Sequence, residues 1–543
     1  MDRRRGSKRP VCFNAMELVG ALLDRAQQWI GGNWLFLLIV LAAFVVPGRV
    51  TWPKRLDRFA ARRFVWLLVF AVSLSVSLGK AARDGVPLPQ FHDDFAYLLA
   101  ADTFAHGHVS YPTHPFADHF ETMHVLQRPR YAAKFPPGQG LLLMGGIAAV
   151  WLMTAAACAA LWWALRVWLG PRLALLGGLA AALHPTMQRW SQVYHGGELA
   201  AFAGALLLGA MGVLRARSSW RAASLAGVAL ALLAISRPYE GLVLAAALLA
   251  ISRPRFDRAH VIGAITALVA LVPLALYNRA ITGSAFSLPY TLYEQRYDPV
   301  PNFLWESPRV IASWPNKELE FNYKVVYDGY YRREMAPGGL ADAIAKKVDF
   351  VRVALFGPDS WLPSAWCVLL LPLVALPRAL ARRREARLLA LALLIFAFAP
   401  FSLTWWLQLH YLAPAAALAA AFVFVLWDEL ASMRRGGVLA TAVLAVFVLN
   451  AIGTWSAPPP QPGFEPRRQA IAHSLIAQGG HHVVFVAPDV FDAVYNGGDL
   501  DTQPVVWVRD LGAARNDALR AYYKNRRAWR LTRDDGGAKL SAY

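Results

Sequence analysis

Apolar runs of about 15–20 residues recur along this chain, separated by short arginine-rich links, and that pattern restricts the fold more than any motif. A helix rising about 1.5 Å per residue needs about 20 apolar residues to cross the roughly 30 Å hydrocarbon core of a bilayer. Such runs fall near 63–80, 139–166, 173–190, 197–214, 222–236, 240–252, 259–277, 361–377, 388–406, 411–428 and 437–455. A further stretch, 30–47, is long enough to add a crossing, so the chain reads as an all-α polytopic membrane protein with about 11–12 spans. A composition of 57% hydrophobic and 17% charged residues agrees.

The net charge of +20 would suggest nucleic acid in a soluble protein. Here the basic residues sit mainly in links between apolar runs, where positive charge sets topology, and nucleic acid is set aside as a partner. The links "RARSSWR" (215–221), "SRPRFDR" (252–258), "RALARRREAR" (378–387) and "SMRRGG" (432–437) are placed in the cytoplasm. The outer face then carries 81–138, 184–196, the turn at 236–241, 278–360, 407–410 and everything from 456 onward. Residues 1–62 form a basic, amphipathic region with one conflict. If 30–47 crosses, the basic Arg3, Arg4, Arg5, Lys8 and Arg9 lie outside; otherwise 16–47 lies along the cytoplasmic interface. Length favours crossing, and the absence of a small-residue cleavage signature argues for an uncleaved segment. Cys12, Cys158 and Cys367 form no CxxC or disulfide framework.

Charged residues are almost missing from mid-span positions, whereas Glu198, Arg237 and Glu240 lie near outer span ends. That distribution favours an enzyme working at the outer interface over a pump with a charged pathway; a transporter or flippase of lipid-linked glycans is the alternative. Asp93 and Asp94 head "DDFAYLLAADTFA" in the first outer loop. As neighbours, one can serve as general base or metal ligand while the other orients it; equally, both can complement the dipole of a helix starting there. His119, Glu121 and His124 in "HFETMH" offer two nitrogens and an oxygen to a divalent metal, or are ordinary loop residues. Lys134, before Pro136 and Pro137, is held at the membrane surface to meet a lipid phosphate or to snorkel. Arg237 is a second phosphate fork, with Glu240 its alternative partner. Tyr97, Tyr194, His195, Tyr239, Glu240 and His410 are the candidates for holding substrate, Tyr194 and His195 preceding two glycines that permit close backbone approach.

In order, "HDDFAYLLAADTFAHG", "HFETMH", "KFPPGQG", "YHGGELAAFAGALLLGA" and "SRPYEG" resemble a bacterial branch of the GT-C membrane glycosyltransferases, near the RgtA/B/C/D-like and protein-mannosyltransferase-like families. The resemblance covers about residues 60–455; the acidic pair and the Lys-x-Pro-Pro element are shared with the wider superfamily, aminoarabinose transferases included. It implies a GT-C type helical bundle in the bacterial inner membrane. It also implies a polyprenyl-phosphate-linked sugar as donor and hexosyl or pentosyl transfer, on the periplasmic side, to the hydroxyl of a lipid or glycan acceptor. By the same resemblance Asp93 is the catalytic aspartate, Asp94 its partner, and Lys134 the lysine facing donor phosphate. The chain departs from the branch at "GGIAAVWLMTAAAC" (145–158), where one continuous apolar run replaces the usual re-entrant turn.

The loop 278–360 is rich in tyrosine, and "ADAIAKKVDFVRVALF" (341–356) spaces Ile344, Val348, Val351 and Leu355 as an interfacial helix capping the outer cleft. After the catalytic bundle, 63–455, a proline-rich linker leads into 456–543, a small periplasmic α/β appendage with strands at "HHVVFVAP" and "PVVWVRD" and a helix at "NDALRAYYKNRRAW".

Overall fold

Long apolar helices form where hydropathy placed them. The computed structural model describes residues 33–46, 48–51, 53–252, 257–357, 365–404, 407–456, 465–534 and 538–543. Among these, eight helices are long and apolar enough to cross a membrane: Val65–Asp84, Gly146–Leu169, Glu198–Ala216, Arg258–Thr282, Ala365–Arg382, Arg384–Ser402, Ala413–Ser432 and Gly436–Ser456. Four shorter apolar helices, Trp34–Val45, Pro171–Leu183, Trp220–Ala234 and Pro238–Ser252, complete the bundle. The chain is thus a multi-pass helical membrane protein. The first 32 residues lie outside the described set, and with them most of the amphipathic reading of 16–47. The helix Trp34–Val45 covers 12 residues, about 18 Å at helical rise, so by itself it is too short to cross. Its exit is tied to the 432–437 link, where Gly48 N–H donates to Arg434 O at 2.8 Å and Gly437 N–H to Gly48 O at 2.9 Å.

Two apolar runs that look continuous in the sequence are broken. The 139–166 run is a short helix Pro137–Leu143 and a long one beginning at Gly146, whose φ of +65° is the left-handed region open to glycine. The stretch 145–158 is itself continuous, lying in the helix Gly146–Leu169, and the break falls just ahead of it. The 173–190 run divides at His184 into Pro171–Leu183 and Pro185–Trp190, because a proline cannot donate into the preceding turn.

The loop 81–138 contributes the helix His92–Ala105 and a small antiparallel sheet in which Arg130–Ala133 lies between Tyr111–Pro112 and Val125–Leu126. The tyrosine-rich loop is mostly helical: Pro289–Tyr297, Lys317–Glu320, a π-helical turn Phe321–Tyr327, Asp328–Met335 and Gly339–Phe356. The last covers the stretch 341–356 expected to be helical, with Ile344 and Val348 exposed. Lys347 departs from that pattern: it is buried and donates to Leu403 O.

The C-terminal unit is a four-stranded sheet in which His481–Val486 pairs in parallel with Val505–Arg509 on one side and Arg526–Thr532 on the other, and Lys539–Ala542 closes the edge antiparallel. The expected helix is shorter than its sequence pattern; it stops at Tyr522, and "RRAW" belongs to a strand. Most of the proline-rich linker, 457–464, lies outside the described residues. The unit does not hang free: Val483, Phe485, Val506 and Val508 share one buried apolar cluster with Ala96, Leu99, Phe120 and Val125 of the first outer loop.

Candidate active site

The acidic pair divides its labour. Asp94 is 2% exposed and caps its own helix: Oδ2 accepts from the backbone N–H of Gln90 at 2.8 Å and of Phe91 at 3.2 Å. Its Oδ1 meets His195 Nδ1 at 2.8 Å. Burial disfavours the charged imidazole, but the Asp94 charge and hydrogen bond outweigh it, and the pKa of His195 is raised. The glycines after His195 make this possible. Gly196 and Gly197 have φ of +89° and +133°, and a Cβ on Gly197 would sit 2.6 Å from the Trp190 ring.

Asp93, one residue earlier, points elsewhere and keeps 32% of its side chain open. Its Oδ1 lies 3.1 Å from His124 Nε2. Burial, joined by the neighbouring Lys134 charge, pushes the His124 imidazole down to about 4, so near pH 7 it is neutral and can donate to Asp93. Burial also opposes ionisation of Asp93. The His124 hydrogen bond and the positive fields of His195 and Lys134 outweigh that and hold its carboxyl far below the usual range. Asp93 is thus an ionised, partly open carboxylate.

Around it stand His410, 4% exposed with its ring 5.2 Å from that of His195, and Arg237, whose guanidinium lies 4.7 Å over the Tyr411 ring. Burial and the charges of Arg237 and His195 lower the pKa of His410 well below its ordinary value, so it stays neutral. Arg237 has no carboxylate within ion-pairing distance among the described residues, so it is not the self-contained pair with Glu240 that the sequence allowed. Its charge is felt by Asp93, Tyr97 and Glu240. Glu240 itself is 6% exposed.

Several candidates are committed elsewhere. Lys134 does not face open solvent: it is 4% exposed, and its Nζ donates to Glu294 Oε1 at 2.6 Å, enclosed by the rings of Tyr290 and Tyr293 at 4.7 and 4.8 Å. An acidic residue folded back from the second outer loop has taken the place expected for a lipid phosphate. Tyr97 is buried and stacks on Phe135 at 4.6 Å, Tyr194 donates its hydroxyl to Pro87 O at 2.8 Å, and Tyr239 pairs with the Ser402 hydroxyl at 2.5 Å. The three "HFETMH" residues do not converge on a metal. His119 packs against Phe116, Glu121 Oε2 accepts from the Tyr297 hydroxyl at 2.7 Å, and His124 serves Asp93. A loop lets consecutive side chains diverge, so spacing alone did not place them together.

Sequence reasoning missed Glu294 as a neighbour of the site; the only signal for it was an acidic residue inside a tyrosine-rich segment. Beside the site, an apolar cavity of about 410 Å³ opens between helices, lined by Trp190, Leu161, Leu355, Phe396, Leu412 and Phe424 among others.

No protein-family model and no curated protein sequence matches the chain. Among solved structures, it is similar to ArnT from Cupriavidus metallidurans in the apo state, at 13% identity over 87% of this chain and 93% of that one, with a TM-score of 0.49. It is also similar to the Archaeoglobus fulgidus oligosaccharyltransferase in complex with zinc and sulfate, at 14% identity over 77% of this chain, TM-score 0.45. A third is the oligosaccharyltransferase AglB of the same archaeon with an inhibitory peptide and a dolichol-phosphate, at 11% identity over 86% of this chain and 69% of that one, TM-score 0.43. The chain spans 60% of the length of the zinc-bound oligosaccharyltransferase.

Proposed function

We propose that this protein is a GT-C type glycosyltransferase of the bacterial inner membrane. It moves a sugar from a polyprenyl-phosphate donor to the hydroxyl of a lipid or glycan acceptor at the periplasmic end of the bundle. The observation that carries the reading is the asymmetry of the acidic pair: Asp94 is consumed by capping and by His195, while Asp93 is ionised, partly exposed and within the electrostatic reach of Arg237 and His410. Asp93 takes the proton of the acceptor hydroxyl as that oxygen forms its bond to the anomeric carbon. The bond from that carbon to the phosphate oxygen breaks, its electron pair leaves with the polyprenyl phosphate, and the Arg237 guanidinium meets the charge that develops there. His124 keeps Asp93 oriented, and the Asp94–His195 pair places an imidazole of raised pKa beside His410. The apolar cavity offers the donor tail a place next to the reacting groups, since Leu412 lines it two residues from His410.

Profiling of glycolipids and glycans in cells carrying Asp93→Asn tests this. Loss of one sugar decoration, with the protein still in the membrane, supports the reading. Unchanged products with intact protein remove Asp93 from chemistry and leave the flippase alternative.

A further inference from the structure

Beyond the reacting carboxylate, one group of ligand-type side chains converges that the transferase chemistry does not use. Among the described residues, His92, Glu318 and Asp492 each bring a ligand atom within 4.8 Å of the others. They come from three distant parts of the chain: the first turn of the helix His92–Ala105, the helix Lys317–Glu320 of the second outer loop, and the C-terminal unit. We propose that these residues bind a divalent transition-metal ion of the zinc class, which clamps the C-terminal unit onto the two outer loops.

The strongest sign is Glu318. It is 1% exposed, its Oε2 accepts from Arg509 Nη1 at 2.6 Å and from the Asp492 backbone N–H at 3.3 Å, and its Oε1 has no hydrogen-bond partner. A buried, unmatched carboxylate oxygen is costly, and a cation at this point removes that cost. His92 is prepared in the same sense. Its Nδ1 meets the Tyr495 hydroxyl, the kind of outer hydrogen bond that orients a ligating imidazole, while Nε2 lies 3.3 Å from Asp492 Oδ1. Asp492 has a φ of +60°, in the left-handed region that aspartate tolerates better than most residues.

The ligand chemistry narrows the ion. One imidazole with two carboxylates suits zinc and its first-row neighbours better than magnesium or calcium, which take all-oxygen shells. The Asp492 side chain is 56% exposed and the His92 side chain 23%, so an ion can enter from solvent and keep water on its open positions. Arg509 offsets one of the two negative charges, which keeps the pocket from being a purely repulsive pair when empty. His92 also precedes Asp93, and its ring lies 6.0 Å from that of His124. The clamp would therefore hold the helix start that aims Asp93. It does not depend on the transferase reading, because binding is measured without turnover.

The test uses the full chain purified in detergent without chelator. Elemental analysis should find about one equivalent of zinc, and Co²⁺ loading of stripped protein should give visible d–d absorption. Asp492→Asn, at an exposed position, should keep the fold yet bind zinc at least tenfold more weakly and lose the cobalt spectrum. Limited proteolysis should release the C-terminal unit faster from stripped protein and from this variant. Zinc affinity and cobalt spectrum unchanged in both Asp492→Asn and Glu318→Gln would overturn the assignment, as would absence of binding by the folded native protein.

Discussion

The Lys134–Glu294 pair allows a prediction that separates a structural lysine from a phosphate-binding one. The two groups are 2.6 Å apart with side chains 5% and 2% exposed. At an effective dielectric of about 20, charges at that distance attract by roughly 6 kcal/mol, most of which offsets the loss of hydration on burial. Lys134→Met leaves the Glu294 carboxylate buried and uncompensated and should destabilise the outer region by about 3–5 kcal/mol. Lys134→Met combined with Glu294→Leu removes both charges and should recover most of that loss. The assay is heating of detergent-purified protein followed by size-exclusion chromatography, with sugar transfer measured on whatever stays monodisperse. A structural pair predicts a single variant that falls apart early and a double variant that is folded and active. A double variant as unstable as the single one, or one that is stable but dead, would refute the reasoning, the second outcome returning Lys134 to the donor phosphate.

Arg237→Lys should raise the donor KM more than it lowers kcat, because an ammonium neither stacks on Tyr411 nor offers a two-pronged contact to phosphate; steady-state kinetics over donor concentration would show it. Asp93→Asn should lower transfer by about 10²–10⁴-fold in purified protein, the range expected when a general base is removed. Gly204→Ala should weaken the site from a distance: a Cβ there falls 1.9 Å from Pro414 O, on the segment just after His410, and reduced thermal stability with reduced transfer is the expected pair of readouts. Acidification should loosen the C-terminal unit. Burial, with the Arg515 charge, lowers the His119 pKa to about 4 from an ordinary 6.5, so this buried imidazole is neutral when folded and takes up a proton only when released. Its contribution is fully present above about pH 6.5, declines as pH falls, and is lost by pH 4, a difference of about 3 kcal/mol. Hydrogen exchange of 481–486 between pH 7 and pH 4.5, corrected for intrinsic rates, should therefore rise.

How much could be read beforehand differs between parts of the molecule. The bundle was legible because a membrane span must satisfy its backbone within one helix and bury it in lipid, so hydropathy along the chain suffices. Gly146 and His184 still broke runs that composition joined, since a glycine at positive φ or a proline interrupts a helix without changing mean hydropathy. Asp93 was legible as one of two adjacent carboxylates at the head of an outer-loop segment, and His195 as a polar residue before two glycines near a span end. The division of roles between Asp93 and Asp94 was not, since it depends on which carboxylate the helix start turns inward.

Local pattern thus determined that this chain crosses a membrane many times and carries a small sheet in its C-terminal part. Tertiary structure alone decided which polar groups meet: Lys134 with Glu294, His124 with Asp93, and His92 with Glu318 and Asp492. The physical reason is range. Hydrophobic periodicity is a property of neighbours in sequence, whereas an ion pair or ligand cluster depends on distances set by how segments well separated in sequence fold over one another.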